Sequence, residues 1–283
     1  MPQHDSLMRT THCLTFDIEE HFQVSAFDSS DQRERWDRLE SRVQRNTEKI
    51  LEILEARKIK ATFFVLGWVA ERHPNLVRRI ASVGHEVASH GYEHRMVTTQ
   101  TPDQFREDIR KSKAILENLI GVPVVGYRAP SFTIVEQTKW ALQLLVEEGY
   151  CYDSSIFPIR HDRYGMPGAR AHRHRLDTPM GSIWEVPPAT VQIARARFPV
   201  AGGGYFRFFP YPVLRTLLKR AASEAEPLVM YLHPWELDPT QPRMQGSLVS
   251  RFRHYLNLDK TERRLQQLLV DFKFGPIRDV IMF

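Results

Sequence analysis

Cysteine is nearly absent from this 283-residue chain: Cys13 and Cys151 alone are too few for a disulfide framework. Both fall beside apolar, strand-like segments, where a free thiol packs as a small hydrophobe. Long apolar runs are missing too. The stretch 61–70 is interrupted by Gly67 and falls well short of the ~20 residues that cross a bilayer. Residues 1–9 hold no apolar block of the roughly 7 to 15 residues a secretory signal requires, so a cytoplasmic protein is expected. Gly202-Gly203-Gly204 is followed by bulky aromatics and not by the Lys-Ser/Thr of a P-loop, which makes it a turn. The basic cluster at 161–175 has no interleaved stacking platform, which argues against a nucleic-acid partner. A solvated loop, or one meeting an anionic sugar or lipid-linked phosphate, fits it better, and peripheral membrane contact stays open.

What is present is an ordinary globular composition, 42% hydrophobic and 26% charged, with a formal net charge of +5. Strand-like and helix-like patterns alternate, predicting an α/β protein with a mainly parallel sheet. Strands are expected at 13–17, 61–66, 85–88, 124–128, 151–153, 184–186, 191–194 and 228–233. Leu39, Val43, Ile50, Leu51 and Leu54 recur at helical spacing, as do Phe105, Ile109, Ile115, Leu116 and Leu119 after Thr101-Pro102. Further helices are predicted over 75–83 and 136–148. The stretch 158–182 lacks periodicity and reads as a long loop, and a helical pattern returns at Leu265, Leu268 and Leu269.

The chemistry concentrates at strand ends. In Ser89-His90-Gly91-Tyr92-Glu93-His94 two histidines lie four apart; in a helical turn both imidazoles would share one face, close enough to grip one divalent metal. Upstream, Leu14-Thr15-Phe16-Asp17-Ile18-Glu19-Glu20 ends an apolar strand in acid. Residues two apart on a strand share a face, so Asp17 and Glu19 point together, one suited to take a proton from metal-activated water and the other to bind the metal. Glu20 remains the alternative ligand. Three more segments follow in order: Gly126-Tyr127-Arg128-Ala129-Pro130, Tyr152-Asp153-Ser154-Ser155 and Tyr231-Leu232-His233-Pro234-Trp235.

This ordered set, running from about Leu14 to Trp235, resembles the polysaccharide deacetylase family, the NodB-homology or carbohydrate esterase group. The resemblance implies a distorted (β/α) barrel with a C-terminal extension. It implies Asp17 as general base, Arg128 as the residue orienting it, His233 as general acid and Asp153 as the group holding the His233 imidazole. Glu19, His90 and His94 would be the metal ligands, zinc leading among divalent ions, and Pro130 and Trp235 would face the substrate. Ile18 stands where the commonest family pattern has a metal-binding Asp, which is why Glu19 takes that part here. The extended opening through Phe27 and His233-Pro234-Trp235-Glu236 is similar to the exosortase-associated exopolysaccharide deacetylases.

The expected organisation is a flexible tail over 1–12, a NodB-like domain over 13–236 and an extension over 237–283 packed on it. The expected activity is metal-dependent removal of acetyl groups from N-acetylated sugars of a bacterial polysaccharide or its precursor. A cyclic-amide hydrolase of the allantoinase kind and a non-catalytic carbohydrate-binding relative are the rivals.

Overall fold

The computed structural model describes residues 10–27, 33–161, 164–224 and 227–281; most of the expected tail, residues 1–9, lies outside them. Thr11 and His12 already belong to β1 (Thr11–Ile18), which pairs in parallel with β2 (Thr62–Val65), β10 (Val229–Leu232) and the short β11 (Lys273–Gly275). The sheet continues from β2 through β3 (Glu86–Ser89), β4 (Gly126–Tyr127), β5 (Tyr152–Asp153) and β7 (Gly181–Glu185) to β6 (His174–Thr178), and only the β6–β7 pair is antiparallel. A hairpin, β8 (Thr190–Ile193) and β9 (Ala196–Pro199), extends towards β10: Ala189 N donates to Val229 O at 3.0 Å and Tyr231 N to Ala201 O at 2.9 Å.

The strands are apolar on both faces because both are covered. Cys13, Phe64, Ala88, Tyr152, Val186 and Val229 meet as one inner cluster, the packed interior of a distorted β/α barrel. Ile277 and Ile281 at the chain's end join that cluster. The alternate residues Leu14, Phe16, Ile18, Phe63 and Val65 face outward into a larger core shared with the helices. The surrounding helices include α1 (Val43–Glu55), α2 (Gly67–Arg72), α3 (Pro74–Ser82), α4 (Pro102–Ile120) and α5 (Trp140–Glu147). For α4 the sequence signals translate directly. Thr101 and Gln104 form a reciprocal capping box, and Gly121 closes the helix at φ 73°.

Three expectations need correction. The stretch 158–182 is not loop throughout: it contains β6, whose residues alternate between covered and exposed as polar edge strands do, too weakly hydrophobic to register in the sequence. The helix over 136–148 is a 3-10 turn at Glu136–Thr138 followed by α5. The triple glycine is not a turn throughout: Gly203 and Gly204 open a helix, α6 (Gly203–Phe208), which carries the aromatic run and leads into α7 (Tyr211–Glu224). Gly202 is required there because an added Cβ would lie 1.7 Å from Tyr231 O.

After His233 come a 3-10 turn (Pro234–Leu237), α8 (Leu248–Tyr255), α9 (Leu258–Asp271), β11 and α10 (Ile277–Val280). The last of these elements close on the barrel where β1 and β2 begin, since β11 lies in the sheet and Ile277 N donates to Thr62 Oγ1 at 2.8 Å. Among the described residues, no helix is long and apolar enough to cross a membrane.

Candidate active site

The end of β1 supplies the acids. Thr15, Asp17 and Glu19 alternate with Phe16 and Ile18, and all three polar residues are buried. Arg128, just after β4, is wholly buried and ties this row down: Nη1 donates to Thr15 Oγ1 and to Asp17 Oδ1, each at 2.7 Å. Its remaining donors reach Ser154, Nε to the carbonyl at 3.2 Å and Nη2 to Oγ at 2.9 Å. The guanidinium also lies 4.1 Å from the centroid of the Phe64 ring. With Oδ1 engaged, Asp17 presents Oδ2 to the cleft.

His90 and His94 come together without the helical turn their spacing suggested. The chain after β3 is an irregular loop turned by positive φ at Gly91 (76°) and His94 (54°). Asp108 on α4 accepts from Tyr92 N at 2.9 Å, while Gly67 N and Trp68 N at the start of α2 donate to Gly91 O and Tyr92 O. A side chain at Gly91 would be strained by the positive φ, and its Cβ would meet Asp108 Oδ2 at 2.7 Å. His90 Nδ1 pairs with Arg128 O at 2.8 Å, which turns Nε2 into the cleft. Burial pushes the His90 pKa down to about 4 against the pull of Asp17 and Glu19, so the ring is unprotonated near neutrality.

Glu19 Oε2 sits 2.7 Å from His94 Nε2 and 3.9 Å from His90 Nε2, with no donor in hydrogen-bonding geometry. Candidate donor atoms of Glu19, His90 and His94 all lie within 4.8 Å of one another, and all three residues are buried. Burial opposes charge on Glu19, but His94, His233 and His90 outweigh it and hold the carboxyl well below its usual range. A buried carboxylate oxygen facing two imidazole nitrogens is an arrangement that could hold a divalent cation. Glu20, the alternative, turns away: its carboxylate accepts from Arg42 N, Val43 N and Ser41 Oγ at the start of α1.

His233 follows β10 and brings Nε2 to 3.8 Å from both Asp17 Oδ2 and Glu19 Oε1. The expectation that Asp153 holds this imidazole is overturned. His233 Nδ1 pairs instead with Glu236 Oε1 at 2.7 Å, and the same oxygen accepts from His233 N at 3.0 Å. Asp153 lies on β5, with β4, β3, β2 and β1 between it and β10 in the sheet. It accepts from Ser155 Oγ (2.5 Å) and Ser155 N (3.2 Å), and Ser155 Oγ in turn accepts from Ala129 N at 2.7 Å, beside Arg128. Burial pushes its pKa up to about 6, against hydrogen bonds from Glu185 and Ser155.

Trp235 is also corrected. Its ring is stacked between His233 (centroids 4.9 Å apart) and His254 (4.2 Å), leaving no face for a sugar, and its Nε1 donates to Glu19 Oε1 at 3.0 Å. It positions the carboxylate instead. Pro130 is buried and opens a 3-10 turn whose Ser131 and Phe132 have positive φ; its carbonyl accepts from Thr133 Oγ1 at 2.7 Å. Sequence reasoning missed Glu236, although its place three residues after His233 follows capping-box spacing. It missed Arg207, for which no sequence signal exists. A cavity of about 840 Å³ between α5 and β6, lined by Trp140, Met166 and Arg175, shares no residue with this site.

Comparison with known proteins agrees with this architecture. Residues 12–148 match the family model "Polysaccharide deacetylase", and residues 154–282 match a domain of unknown function (DUF3473). A peptidoglycan-N-acetylglucosamine deacetylase of Bacillus cereus is 42% identical over 98 residues, 34% of this chain and 36% of the relative. A peptidoglycan deacetylase of Helicobacter pylori is 30% identical over 108 residues, 38% of this chain and 36% of the relative. The chain thus matches about a third of the length of these relatives. In fold, a Mycobacterium smegmatis protein assigned as a polysaccharide deacetylase superimposes over 97% of this chain and 89% of its own, with TM-score 0.66 and 22% identity.

Proposed function

We propose that this chain, whose residues 12–148 match the polysaccharide deacetylase family model, is a metal-dependent N-deacetylase acting on N-acetylated sugars of a bacterial polysaccharide or its precursor. One observation carries the reading: a fixed carboxylate, a Glu-His-His donor set and a cleft histidine converge at the ends of β1, β3 and β10. Ends of parallel strands are where such barrels gather their chemistry. A divalent ion held by Glu19, His90 and His94, zinc by preference of these donors, would polarise the acetamide oxygen and lower the pKa of a neighbouring water from ~15.7 towards about 7.

The chain's own residues divide the proton work. Arg128 occupies Asp17 Oδ1, so Oδ2 accepts the proton that water loses as its oxygen joins the acetyl carbon. His233 keeps one ring proton on Nδ1, held by Glu236, and offers the other from Nε2. Burial opposes this charge, but Glu19, Glu236 and Asp17 together raise the His233 pKa to about 9. Nε2 delivers its proton to nitrogen as the C–N bond breaks, and acetate and a free amine leave. Asp153 contributes at one remove, holding Ser155 and through it the loop that carries Arg128. Pro130 shapes the substrate side of that loop.

The segment after 236 acts with the barrel as one unit, and an N-acetylated saccharide is the substrate this reading favours. The test is acetate release by the metal-loaded protein from a panel of N-acetylhexosamine oligomers and cyclic amides, with Asp17→Asn as control. Acetate from at least one oligomer, abolished in an Asp17→Asn protein that still binds metal, is the expected result. Ring opening of a cyclic amide instead would make it an allantoinase-type hydrolase. Oligosaccharide binding without acetate release under any metal would make it a carbohydrate-binding relative.

A further inference from the structure

We propose that the domain of unknown function at 154–282 is the acid-bearing half of this active site, and that Arg207 is the positioning residue on which that half depends. The inference rests on the deacetylase reading and deepens it. The division follows the chain. Asp17, Glu19, His90, His94 and Arg128 fall inside the deacetylase match, whereas His233, Trp235, Glu236, Arg207 and His254 all fall inside the unassigned one.

Arg207 lies on α6 with its side chain almost completely buried. Its Nε donates to Glu236 Oε2 at 2.7 Å, and the other oxygen of that carboxylate holds the ring and backbone of His233. The remaining guanidinium donors reach three carbonyls around the end of α8: Nη1 to His254 O and Leu256 O, both at 2.8 Å, and Nη2 to Arg253 O at 3.1 Å. Helix ends leave such carbonyls without intrahelical donors. One planar fork therefore joins the C-terminal segment to the carboxylate that orients the acid, and the point charge of a lysine cannot serve all four acceptors at once.

A second line of contacts runs parallel to the first. His254, fixed by Gln241 Oε1 at 2.8 Å, stacks on Trp235, which stacks on His233 and donates to Glu19. One line ends on the Nδ1 edge of the His233 ring and the other on its face, so displacement of α8 would disturb the Glu236 carboxylate and the Trp235 ring together. The Arg207–Glu236 ion pair is held at the cost of desolvating both charges.

The experiment compares wild type with Arg207→Lys and Glu236→Gln on two substrates. An N-acetylhexosamine oligomer has an amine leaving group that must be protonated; p-nitrophenyl acetate releases a phenolate that needs no acid. In each variant kcat for the amide should fall roughly 10²-fold, with KM within about 2-fold, and should fall at least about ten times further than ester turnover. Equal losses on both substrates, or undiminished amide turnover, would overturn the proposal. A wild type that cleaves the ester but no N-acetyl sugar sinks the deacetylase reading instead. Independently of folding of the variants and of any activity, ¹⁵N-histidine NMR of the wild type reads the His233 ring: a proton on Nδ1 at pH 7 is expected, and a bare Nδ1 overturns the role given to Glu236 and Arg207.

Discussion

Replacing Glu20 by alanine and Glu19 by glutamine should separate stability from metal binding, although the two carboxylates are adjacent in the chain. Glu20 accepts the backbone N–H groups of Arg42 (3.0 and 3.1 Å) and Val43 (3.2 Å) at the start of α1. Those donors have no helical partner, and a carboxylate also complements the positive end of the helix. Loss of such a cap costs roughly 0.5–2 kcal/mol, and charge-assisted bonds left unmade at a buried site bring the total for Glu20→Ala to about 2–3 kcal/mol. At ~2.1 cal/mol/K per residue over 283 residues the unfolding entropy is about 0.6 kcal/mol/K, so Tm should fall by about 3–5 °C. Melts followed by circular dichroism in EDTA exclude stabilisation by bound metal. Zinc titration calorimetry on the same protein should find affinity within about 3-fold of wild type. Glu19→Gln should show the converse, a loss of affinity beyond the roughly 10–100-fold typical of a ligand's supporting partners. A Glu20→Ala protein that bound zinc as poorly as Glu19→Gln, or melted like wild type, would refute the assignment.

Three further outcomes follow from the contacts. Trp235→Phe removes the donor to Glu19 Oε1 and keeps the stack, so zinc affinity should weaken about 10–100-fold with little change in fold; calorimetry with unaltered affinity would contradict the positioning role. Arg128→Met removes the guanidinium paired with the buried Asp17 Oδ1 and should cost about 3–5 kcal/mol in urea unfolding, in addition to abolishing acetate release. His12 and His85 are buried acceptors for Leu228 N and Ala61 N, and burial lowers each pKa to about 4. Because these folded values lie below the unfolded ~6.5, the unfolded chain binds the extra protons. The stabilisation, up to about 3 kcal/mol for each histidine, is complete above pH 6.5 and disappears as pH falls towards 4. Metal-free protein should follow that slope in urea titrations, and His85→Gln should flatten it; a slope unchanged in that variant would count against the assignment.

Much of the molecule was legible because its rules are local. The buried strands at Cys13 and Phe63, the capping box at Thr101 and the stop at Gly121 follow from patterning and turn chemistry acting over a few residues. So did the shared face of Asp17 and Glu19, since the period of a strand is two. β6 escaped because an edge strand of alternating polar character carries little hydrophobic signal. The His90 and His94 pair was found by spacing, but a loop with two positive-φ residues, and not a helix, brings the rings together.

The sequence by itself determined the barrel class, the strand ends that carry the chemistry, and a choice between Glu19 and Glu20 on grounds of facing. Only the tertiary structure decided which carboxylate meets the His233 ring. Asp153 and Glu236 are equally acidic on paper, yet sheet order puts four strands between the first and β10, whereas the turn after β10 folds the second back onto the imidazole. Arg207 was invisible for the same reason: its four acceptors come from three residues near the end of α8 and one in the turn after His233, and only packing makes them neighbours. Hydrogen bonds between distant segments depend on where the whole chain places their ends, and no local pattern encodes that.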